Sequence, residues 1–255
     1  MDTIAALDLH PTDAPAPAGS RAAWHRVLTA CDGAPLTVHA FAFDASHFTP
    51  EMFAEWGVVC ADSVARSVRK RQAEYFFGRL AARRALVHAG ISATQAHADI
   101  GIGAAREPRW PPGMIGSISH THDLAAAVAL APGPRRGVGI DLEHVVDDTV
   151  ASALLGTVVD ATELALVRSL AGPHTINSLL TIVFSAKESL FKGAYAAVGR
   201  YFDFSAARLV ALDAARGRLR LRLVEPLCPQ FALGQECEVG FDSIDADTVI
   251  THFVW

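Results

Sequence analysis

The sequence predicts an α+β protein, because strand-like and helix-like patterns follow one another without a regular alternation. Three groups of strand-like segments are separated by two helical regions, and 51% of the 255 residues are hydrophobic, which suffices for a sizeable core. The change from strands to helices near Asp147 and Asp148 predicts a boundary between an N-terminal lobe, residues 21–147, and a C-terminal lobe, residues 148–255.

Residues 1–20 are predicted to form a flexible leader, because they carry acids where a secretory signal would carry lysine or arginine. In the N-terminal lobe we expect a long helix over residues 62–88, ended by Gly90. The polar turn "HTHD" predicts a hairpin between the strands that flank it. The expected strands of this lobe are "APLTVHAFAF", "ADIGIG", "MIGSIS", "LAAAVAL" and "GVGIDLE".

The C-terminal lobe is predicted to open with helices and to close with strands. The run "DATE" has the spacing of a capping box and predicts a helix over residues 160–170, ended by the Gly-Pro pair at 172–173. Two further helices are expected over about 175–183 and 185–198. The alternation that follows predicts the strands "ARLVAL", "GRLRLRLV", "ECEVGF" and "TVITHFVW".

Composition excludes several classes of protein. A formal net charge of −5 argues against a general nucleic-acid binder. The most apolar run, "LAAAVALA", has eight residues, whereas a membrane-spanning helix needs about 20, so we expect no membrane association. The four cysteines are far apart and lack C-x-x-C spacing, which argues against a zinc site or a disulfide framework. We therefore expect a cytoplasmic protein.

The segment "GVGIDLE" places two carboxylates, Asp141 and Glu143, on one face of a strand, because side chains alternate with a period of two. Like charges so placed repel unless a cation lies between them, and Mg²⁺ prefers such oxygen ligands. The alternative is an edge strand whose acids are exposed to water.

The segment "FSAKESLFK" adds Glu188 and Lys192. The chain has only three lysines, Lys70, Lys187 and Lys192, so two of them beside Glu188 predict that an anionic group binds there. The alternative is a capping box, in which Ser185 begins a helix and Glu188 binds its backbone N–H, followed by an ordinary i,i+4 pair of Glu188 with Lys192.

Phosphate-binding side chains are predicted in three other segments. Ser119 and His120, in "GSISHTHD", stand at the end of a strand, where a hydroxyl and an imidazole can bond phosphate oxygens. Arg79 and Arg83 share one helix face, and Arg106 lies in the proline-braced loop "REPRWPPG". The alternatives are a solvated helix face and a structural corner in which a tryptophan packs inward. The histidine spacing does not fit a zinc hydrolase.

Four segments in this order, "RKRQAEYFFGRLAARRAL", "REPRWPPGMIGSISHTHDLAAAVA", "GVGIDLE" and "FSAKESLFK", resemble those of the 4'-phosphopantetheinyl transferases. The similarity covers about residues 66–198 and is greatest to the enterobactin synthetase component D type within the surfactin-type class. Such enzymes transfer 4'-phosphopantetheine from coenzyme A to a serine of an apo acyl or peptidyl carrier protein and release adenosine 3',5'-bisphosphate.

The resemblance implies roles for individual residues. Asp141, Glu143 and Glu188 would bind Mg²⁺, or alternatively Mn²⁺, and Glu188 would also be the base for the carrier serine. Lys192 would contact the pyrophosphate of coenzyme A, and Lys192 and Glu188 would be the catalytic residues. The nucleotide phosphates would bind a set of basic and hydroxyl side chains: Arg79, Arg83, Arg106, Ser119 and His120.

The resemblance also implies two similar α/β lobes with a pseudo-two-fold relation, with coenzyme A between them, and a monomer that binds neither nucleic acid nor membrane. Two other functions remain possible from the residues alone. One is a metal-dependent hydrolase of phosphoesters or esters, which would release product without an acceptor. The other is a coenzyme A-binding module without turnover.

Overall fold

The computed structural model describes residues 10–11, 16–96, 100–131, 133–170 and 174–255. The chain forms two compact units. The first comprises the described part of residues 1–28 together with 35–136, and the second comprises 29–34 together with 137–255. The boundary therefore falls at residues 136–137 and not at 147–148, because the strand that carries the two acids pairs within the sheet of the second unit.

The first unit is built on a five-stranded sheet of order β1-β2-β3-β7-β6 and a separate two-stranded sheet of β4 and β5. Its strands are β1 (His10–Pro11), β2 (Ser20–Thr29), β3 (Pro35–Phe43), β4 (Gly101–Ile102), β5 (Pro108–Arg109), β6 (Ile115–His120) and β7 (Leu124–Leu130). Its helices are α1 (Glu51–Glu55), α2 (Asp62–Ala65), α3 (Arg69–His88) and α4 (Ala93–Ala96). The antiparallel pairing of β6 with β7 confirms the predicted hairpin.

The long helix predicted over 62–88 is two helices, because Val68 is extended (ψ 153°) and separates α2 from α3. The predicted C-terminal signal is confirmed, since α3 ends at His88 and Gly90 has a φ of +95°. Helix α3 packs on β3, β6 and β7 through a cluster of buried aromatic rings. Phe77 stacks on Phe43 with ring centroids 4.5 Å apart.

The structure differs from the predicted flexible leader at those residues of the segment that it describes. Residues 1–9 and 12–15 lie outside the described part of the chain. Within it, His10 and Pro11 pair antiparallel with His25 and Trp24 of β2, and β2 already begins at Ser20. The described part of this segment is therefore joined to the sheet of the first unit.

The second unit has a five-stranded sheet of order β8-β12-β11-β10-β9, antiparallel throughout. Its strands are β8 (Val138–His144), β9 (Ala207–Asp213), β10 (Arg218–Leu223), β11 (Glu236–Ser243) and β12 (Thr248–Val254). Its helices are α5 (Asp148–Leu154), α6 (Ala161–Leu170) and α7 (Ile176–Val198). Each unit thus combines a five-stranded sheet with one long helix packed against it, and the α+β prediction is confirmed.

Helix α6 has the predicted capping box. The backbone N–H of Asp160 donates to Glu163 Oε2 at 2.9 Å, and the backbone N–H of Glu163 donates to Asp160 Oδ1 at 2.9 Å. The Gly-Pro pair at 172–173, predicted to end this helix, lies outside the described residues.

Helix α7 is continuous where two helices were predicted, so the capping box expected at Ser185 is wrong. The helix begins after Thr175, whose side chain accepts from the backbone N–H of Ser178 at 3.1 Å, and it ends before Gly199. Ser185 lies in the middle of α7, fully buried. Its hydroxyl lies 2.9 Å from the hydroxyl of Thr251. The buried face of α7 therefore continues through the position at which a new helix was predicted to begin.

Lys187, one of the two lysines from which the sequence predicted an anionic group beside Glu188, has a structural partner instead. This side chain is buried, and its ammonium group lies 2.8 Å from Glu163 Oε1 and donates to the carbonyl oxygen of Val158 at 2.6 Å. Glu163 is buried as well and also accepts from the backbone N–H of Leu209 at 2.7 Å. The pair therefore ties α7 to α6 and β9.

Replacing Lys187 with methionine should reduce the free energy of unfolding by about 3 kcal/mol, because Glu163 would keep a buried charge without its cation. Urea denaturation followed by circular dichroism measures the change. The exposed Lys70→Met is the matched control and should change stability by no more than about 0.5 kcal/mol. Equal unfolding midpoints for Lys187→Met and the wild type would contradict a stabilising role for the pair.

Candidate active site

The approach of α7 to β8 is close enough to require glycine on both elements. A methyl group built on Gly139 would lie 2.0 Å from the carbonyl oxygen of Ser189, and one on Gly193 would lie 2.8 Å from the ring of Phe253. Neither distance is compatible with a side chain. This contact places the residues of one face of α7 beside the acids of β8.

The acids and Lys192 form one electrostatic cluster. Val138, Ile140 and Leu142 are buried on β8 as the alternation predicted, and Asp141, between them, is 3% exposed. Lys192 Nζ lies 2.5 Å from Asp141 Oδ1. The cluster brings together four of the predicted site residues in the second unit.

The cluster raises the pKa of two of its carboxyl groups. Burial, with the negative charges of Asp141 and Glu188, raises the pKa of Glu143 to about 8, and the charge of Lys192 opposes this rise. Burial also raises the pKa of Glu188; the charge of Lys192 opposes this rise, and the charge of Asp141 adds a smaller contribution to it. The site therefore holds more negative charge than its one lysine compensates, which is the condition under which a multivalent cation binds.

Buried hydroxyl groups fix the rotation of α7 on the sheet. The Thr251 hydroxyl on β12 lies 2.9 Å from the Ser185 hydroxyl and 2.6 Å from the Ser189 hydroxyl, and all three side chains are fully buried. Thr251 is also the cross-strand neighbour of Asp141. The sequence analysis missed Ser189 and Thr251. Their only signal in the sequence is a hydroxyl side chain on the apolar face of a helix or strand.

A pocket of about 200 Å³ opens beside Glu188. Four aromatic side chains contribute to its lining, and the ring centroid of Phe191 lies 5.5 Å from that of Tyr201 and 5.0 Å from that of Phe202. Tyr201 is 67% exposed. The sequence analysis did not identify this pocket, because its lining comes from α7 and from the irregular segment after it.

In the first unit, the two predicted arginines of α3 are mostly buried. The guanidinium of Arg79 lies over the ring of Tyr75, 4.6 Å from the centroid, and donates to the carbonyl oxygen of Gly101 at 3.3 Å. Arg83 donates to the carbonyl oxygens of Trp56, at 2.7 Å, and of Gly57. Arg83 therefore braces the end of α1, which is a structural role that the phosphate assignment did not anticipate.

Ser119 and His120 end β6, as predicted. Ser119 is buried, and the imidazole of His120 contacts two charged side chains of α3. Arg71 binds Nε2 of His120, and Glu74 Oε2 lies 3.6 Å from Nδ1. Arg71 and Glu74 are themselves 3.3 Å apart. Both lie in the segment "RKRQAEYFFGRLAARRAL", and the sequence analysis assigned them no role.

The remaining predicted residue, Arg106, is exposed in the turn between β4 and β5 and has a φ of +69°. Its backbone N–H donates to the carbonyl oxygen of Gly103 at 3.0 Å. His122 and His144, which directly follow Thr121 and Glu143 and have no role predicted from the sequence, also have polar neighbours. His144 Nδ1 lies 3.0 Å from the Thr248 hydroxyl, and His122 Nε2 lies 3.9 Å from Asp123 Oδ1.

Comparison with known families identifies both parts of the chain. Residues 60–130 match the profile of the 4'-phosphopantetheinyl transferase N-terminal domain, and residues 137–247 match that of the 4'-phosphopantetheinyl transferase superfamily. The chain is 35% identical to enterobactin synthase component D of Salmonella typhi over 184 residues, which cover 72% of this chain and 73% of the relative.

The chain belongs to the 4'-phosphopantetheinyl transferase superfamily. Two further transferases are similar to it: Svp of Streptomyces mobaraensis, at 31% identity over 65% of each chain, and PptT of Mycobacterium tuberculosis, at 35% identity over 58% of this chain and 62% of the relative. The resemblance stated from the four motifs is thereby confirmed. The protein is an enzyme that transfers phosphopantetheine to carrier proteins, with coenzyme A as the substrate that donates it.

Within the described part of the chain, no helix is both long enough and apolar enough to cross a membrane.

Replacing Gly139 with alanine should displace α7 from β8 and lower the rate of transfer by about 100-fold, since catalytic groups tolerate little misplacement. The milder Gly193→Ala tests the same contact if Gly139→Ala does not fold. Steady-state kinetics measures the rate, and circular dichroism establishes that the variant is folded. Gly133→Ala is the control, because its methyl group would meet only one atom, at 3.9 Å. Full activity in both helix-contact variants would show that the close approach is not required.

Proposed function

We propose that Asp141, Glu143 and Glu188 bind Mg²⁺, or Mn²⁺ in its place, and that Glu188 and Lys192 carry out the chemistry of the transfer. The observation that carries this proposal is the clustering of three carboxylates in which the pKa of Glu143 is raised to about 8. A hard cation prefers carboxylate oxygens and relieves the repulsion among them, so the donor set fits the ion. When bound, Mg²⁺ neutralises charge on the pyrophosphate of coenzyme A.

Glu188 is the base in this proposal. The serine hydroxyl of the carrier attacks the phosphorus that bears the pantetheine arm, and its proton passes to the carboxylate of Glu188. The bond from that phosphorus to the oxygen of adenosine 3',5'-bisphosphate breaks, and the nucleotide leaves. A carboxylate whose pKa is raised by burial is a better proton acceptor near neutral pH than an exposed one.

Lys192 has a different task. Its ammonium group is held by Asp141 at 2.5 Å and remains partly exposed, so it is oriented without being enclosed. Such a cation can stabilise negative charge that develops on the pyrophosphate as the nucleotide leaves.

The aromatic pocket beside Glu188 suits the pantetheine arm of coenzyme A. The arm is a chain of methylene, gem-dimethyl and amide groups, and the pocket combines the rings of Phe191, Tyr201 and Phe202 with the carboxylate of Asp203. The position of Glu188 on the same lining supports this assignment, because the base must lie close to the phosphorus that carries the arm.

For the nucleotide phosphates we retain a subset of the predicted residues in the first unit: Arg79, Arg106, Ser119 and His120. The guanidinium of Arg71, which binds Nε2 of His120, supports the assignment because it adds a second cationic side chain at the end of β6. Arg83 was predicted with them, but its bonds to two backbone carbonyls favour a bracing role. The cytoplasmic monomer expected from the sequence stays a prediction.

Glu188→Gln should lower the rate of carrier modification by about 10²- to 10⁴-fold, because the amide cannot accept the serine proton. The assay incubates the protein with coenzyme A, Mg²⁺ and an apo carrier protein and measures the mass of the carrier. Chelation of divalent ions should abolish the mass gain in the wild type, and Mg²⁺ or Mn²⁺ should restore it.

Glu236→Gln is the matched control, because Glu236 is an acid of the same unit that pairs with Arg220 and Arg222 on the surface. Its activity should equal that of the wild type. Substantial transfer by Glu188→Gln would assign the base elsewhere. Release of adenosine 3',5'-bisphosphate without an acceptor protein would instead favour the hydrolase.

Tyr201→Ala should raise the KM for coenzyme A by about tenfold and leave kcat nearly unchanged, because it removes one aromatic wall of the pocket and not a reacting group. Initial rates at varied coenzyme A concentration measure both constants. Leu233→Ala, which removes another exposed apolar side chain of the same unit, should change neither. An unchanged KM in Tyr201→Ala would exclude the pocket as the site of the arm.

A further inference from the structure

The loop between β4 and β5 holds Arg106 in a backbone conformation that normally belongs to glycine. The backbone N–H of Gly103 donates to the carbonyl oxygen of Glu107 at 2.8 Å, and that of Arg106 donates to the carbonyl oxygen of Gly103 at 3.0 Å. These bonds close a three-residue hairpin loop over 104–106, in which the last residue is typically left-handed glycine. Among the residues that the structure describes, Arg106 is the one non-glycine with a positive φ, +69°.

A left-handed arginine is strained. The conformation brings Cβ close to the following carbonyl oxygen and costs about 1–2 kcal/mol, whereas glycine adopts it freely. Such a residue persists only where its surroundings hold the backbone, and strained residues concentrate at ligand-binding sites. The loop therefore needs a contact that holds Arg106 in place.

The side chain of Glu107 supplies this contact. Its Oε2 accepts from the backbone N–H of Ala105 at 2.9 Å, so the carboxylate folds back over the loop that precedes it. A methyl group built on Gly103 would lie 1.7 Å from Oε1 of Glu107, so this oxygen occupies the space that a side chain at 103 would fill. The carboxylate thus bonds the residue before Arg106 and packs on the residue that begins the loop.

The loop is also joined to the helix that carries another predicted phosphate ligand. The two residues of β4 pair with those of β5 in the separate sheet. The carbonyl oxygen of Gly101 in β4 accepts from the guanidinium of Arg79 on α3 at 3.3 Å. The backbone from which the Arg106 side chain extends is therefore connected to α3, while Arg106 itself is exposed and accessible to a ligand.

Electrostatics alone would disfavour an acid at position 107. A carboxylate next to an arginine that binds phosphate repels the anionic ligand. A neutral side chain would remove this repulsion but would also lose the bond to the backbone N–H of Ala105. Charge and positioning therefore predict opposite effects of removing the carboxylate of Glu107, and an experiment can separate them.

We propose that Glu107 is a positioning residue, which holds the loop so that Arg106 keeps its left-handed conformation and presents its guanidinium to a phosphate of the coenzyme A nucleotide. This role rests on the proposed function, in which Arg106 binds a nucleotide phosphate. Glu107 acts through Arg106 and does not touch the substrate. Its effect therefore lies in the KM for coenzyme A and not in kcat.

Initial rates at varied coenzyme A concentration test this role with four proteins: the wild type, Glu107→Ala, Arg106→Gly and the double variant. Arg106→Gly should raise KM by about tenfold, because it removes a charge-assisted hydrogen bond while glycine keeps the loop folded. Glu107→Ala should raise KM by about fivefold with kcat unchanged, although it removes a negative charge. The double variant should match Arg106→Gly within about twofold, because glycine leaves no side chain for Glu107 to position.

Two further variants of the loop separate contact from charge. Glu107→Gln keeps an oxygen that can accept from the backbone N–H of Ala105, so its KM should stay within about twofold of the wild type. Gly103→Ala keeps the charge but places a methyl group where the carboxylate lies, so it should raise KM as Glu107→Ala does. Glu55→Ala, which removes an exposed acid of α1, is the control for net charge and should not raise KM. Circular dichroism establishes that each variant is folded.

The outcomes distinguish the role of Glu107 from the function on which it rests. An unchanged or lowered KM in Glu107→Ala, with a raised KM in Arg106→Gly, would overturn the positioning role and leave the nucleotide assignment of Arg106 intact. Effects that multiply in the double variant would show that Glu107 acts independently of Arg106 and would overturn the role as well. An unchanged KM in Arg106→Gly would overturn the nucleotide assignment and, with it, the role of Glu107.

Discussion

The close packing of α7 against β8 is the constraint on which the second unit depends. Gly139 and Gly193 lie where any side chain would collide with the opposite element, so the two backbones approach more closely than ordinary helix-on-sheet packing allows. The carboxylates of Asp141 and Glu188 extend from these two backbones. A separation set by side chains would vary with their rotamers, whereas one set by backbone contact is fixed, and fixed geometry is what a shared cation site requires.

Backbone contact sets the distance between α7 and β8, but separate interactions set the rotation of α7 about its own axis. The hydroxyl groups of Ser185 and Ser189 meet Thr251 on the sheet side, and the buried ammonium of Lys187 meets Glu163 on another side. Neighbouring residues of a helix differ by about 100° in direction, so burying Lys187 turns Glu188 away from the α6 side. One buried ion pair therefore helps to set the direction in which Glu188, the acid of this helix, points.

Local signals in the sequence predicted the elements that depend on local interactions. The strand at β8, the hairpin of β6 and β7 and the capping box of α6 were all predicted correctly, because alternation, a polar turn and an Asp-Glu spacing each act within a few residues. The predicted helix start at Ser185 was wrong, because the Ser-Glu spacing of a capping box also occurs in the middle of α7. There the Ser185 hydroxyl bonds to Thr251 on a distant strand. Lys187 was misread for a related reason: its partner Glu163 is 24 positions away, and nothing local identifies a buried pair.

For the candidate site, the sequence gives the types of the residues but not their environments. The sequence selected its candidates by residue type alone, because lysine, arginine and histidine bind phosphate groups and carboxylates bind the cation that accompanies them. Only the structure distinguishes Arg83, which donates to two backbone carbonyls, from His120, which is oriented by Arg71 and Glu74. A group held by its neighbours in a defined direction loses little entropy when it binds a ligand, so orientation of this kind contributes to affinity as directly as charge does. The partners that orient a residue are therefore part of the candidate site, although the motif that contains Arg71 and Glu74 does not show that they contact His120.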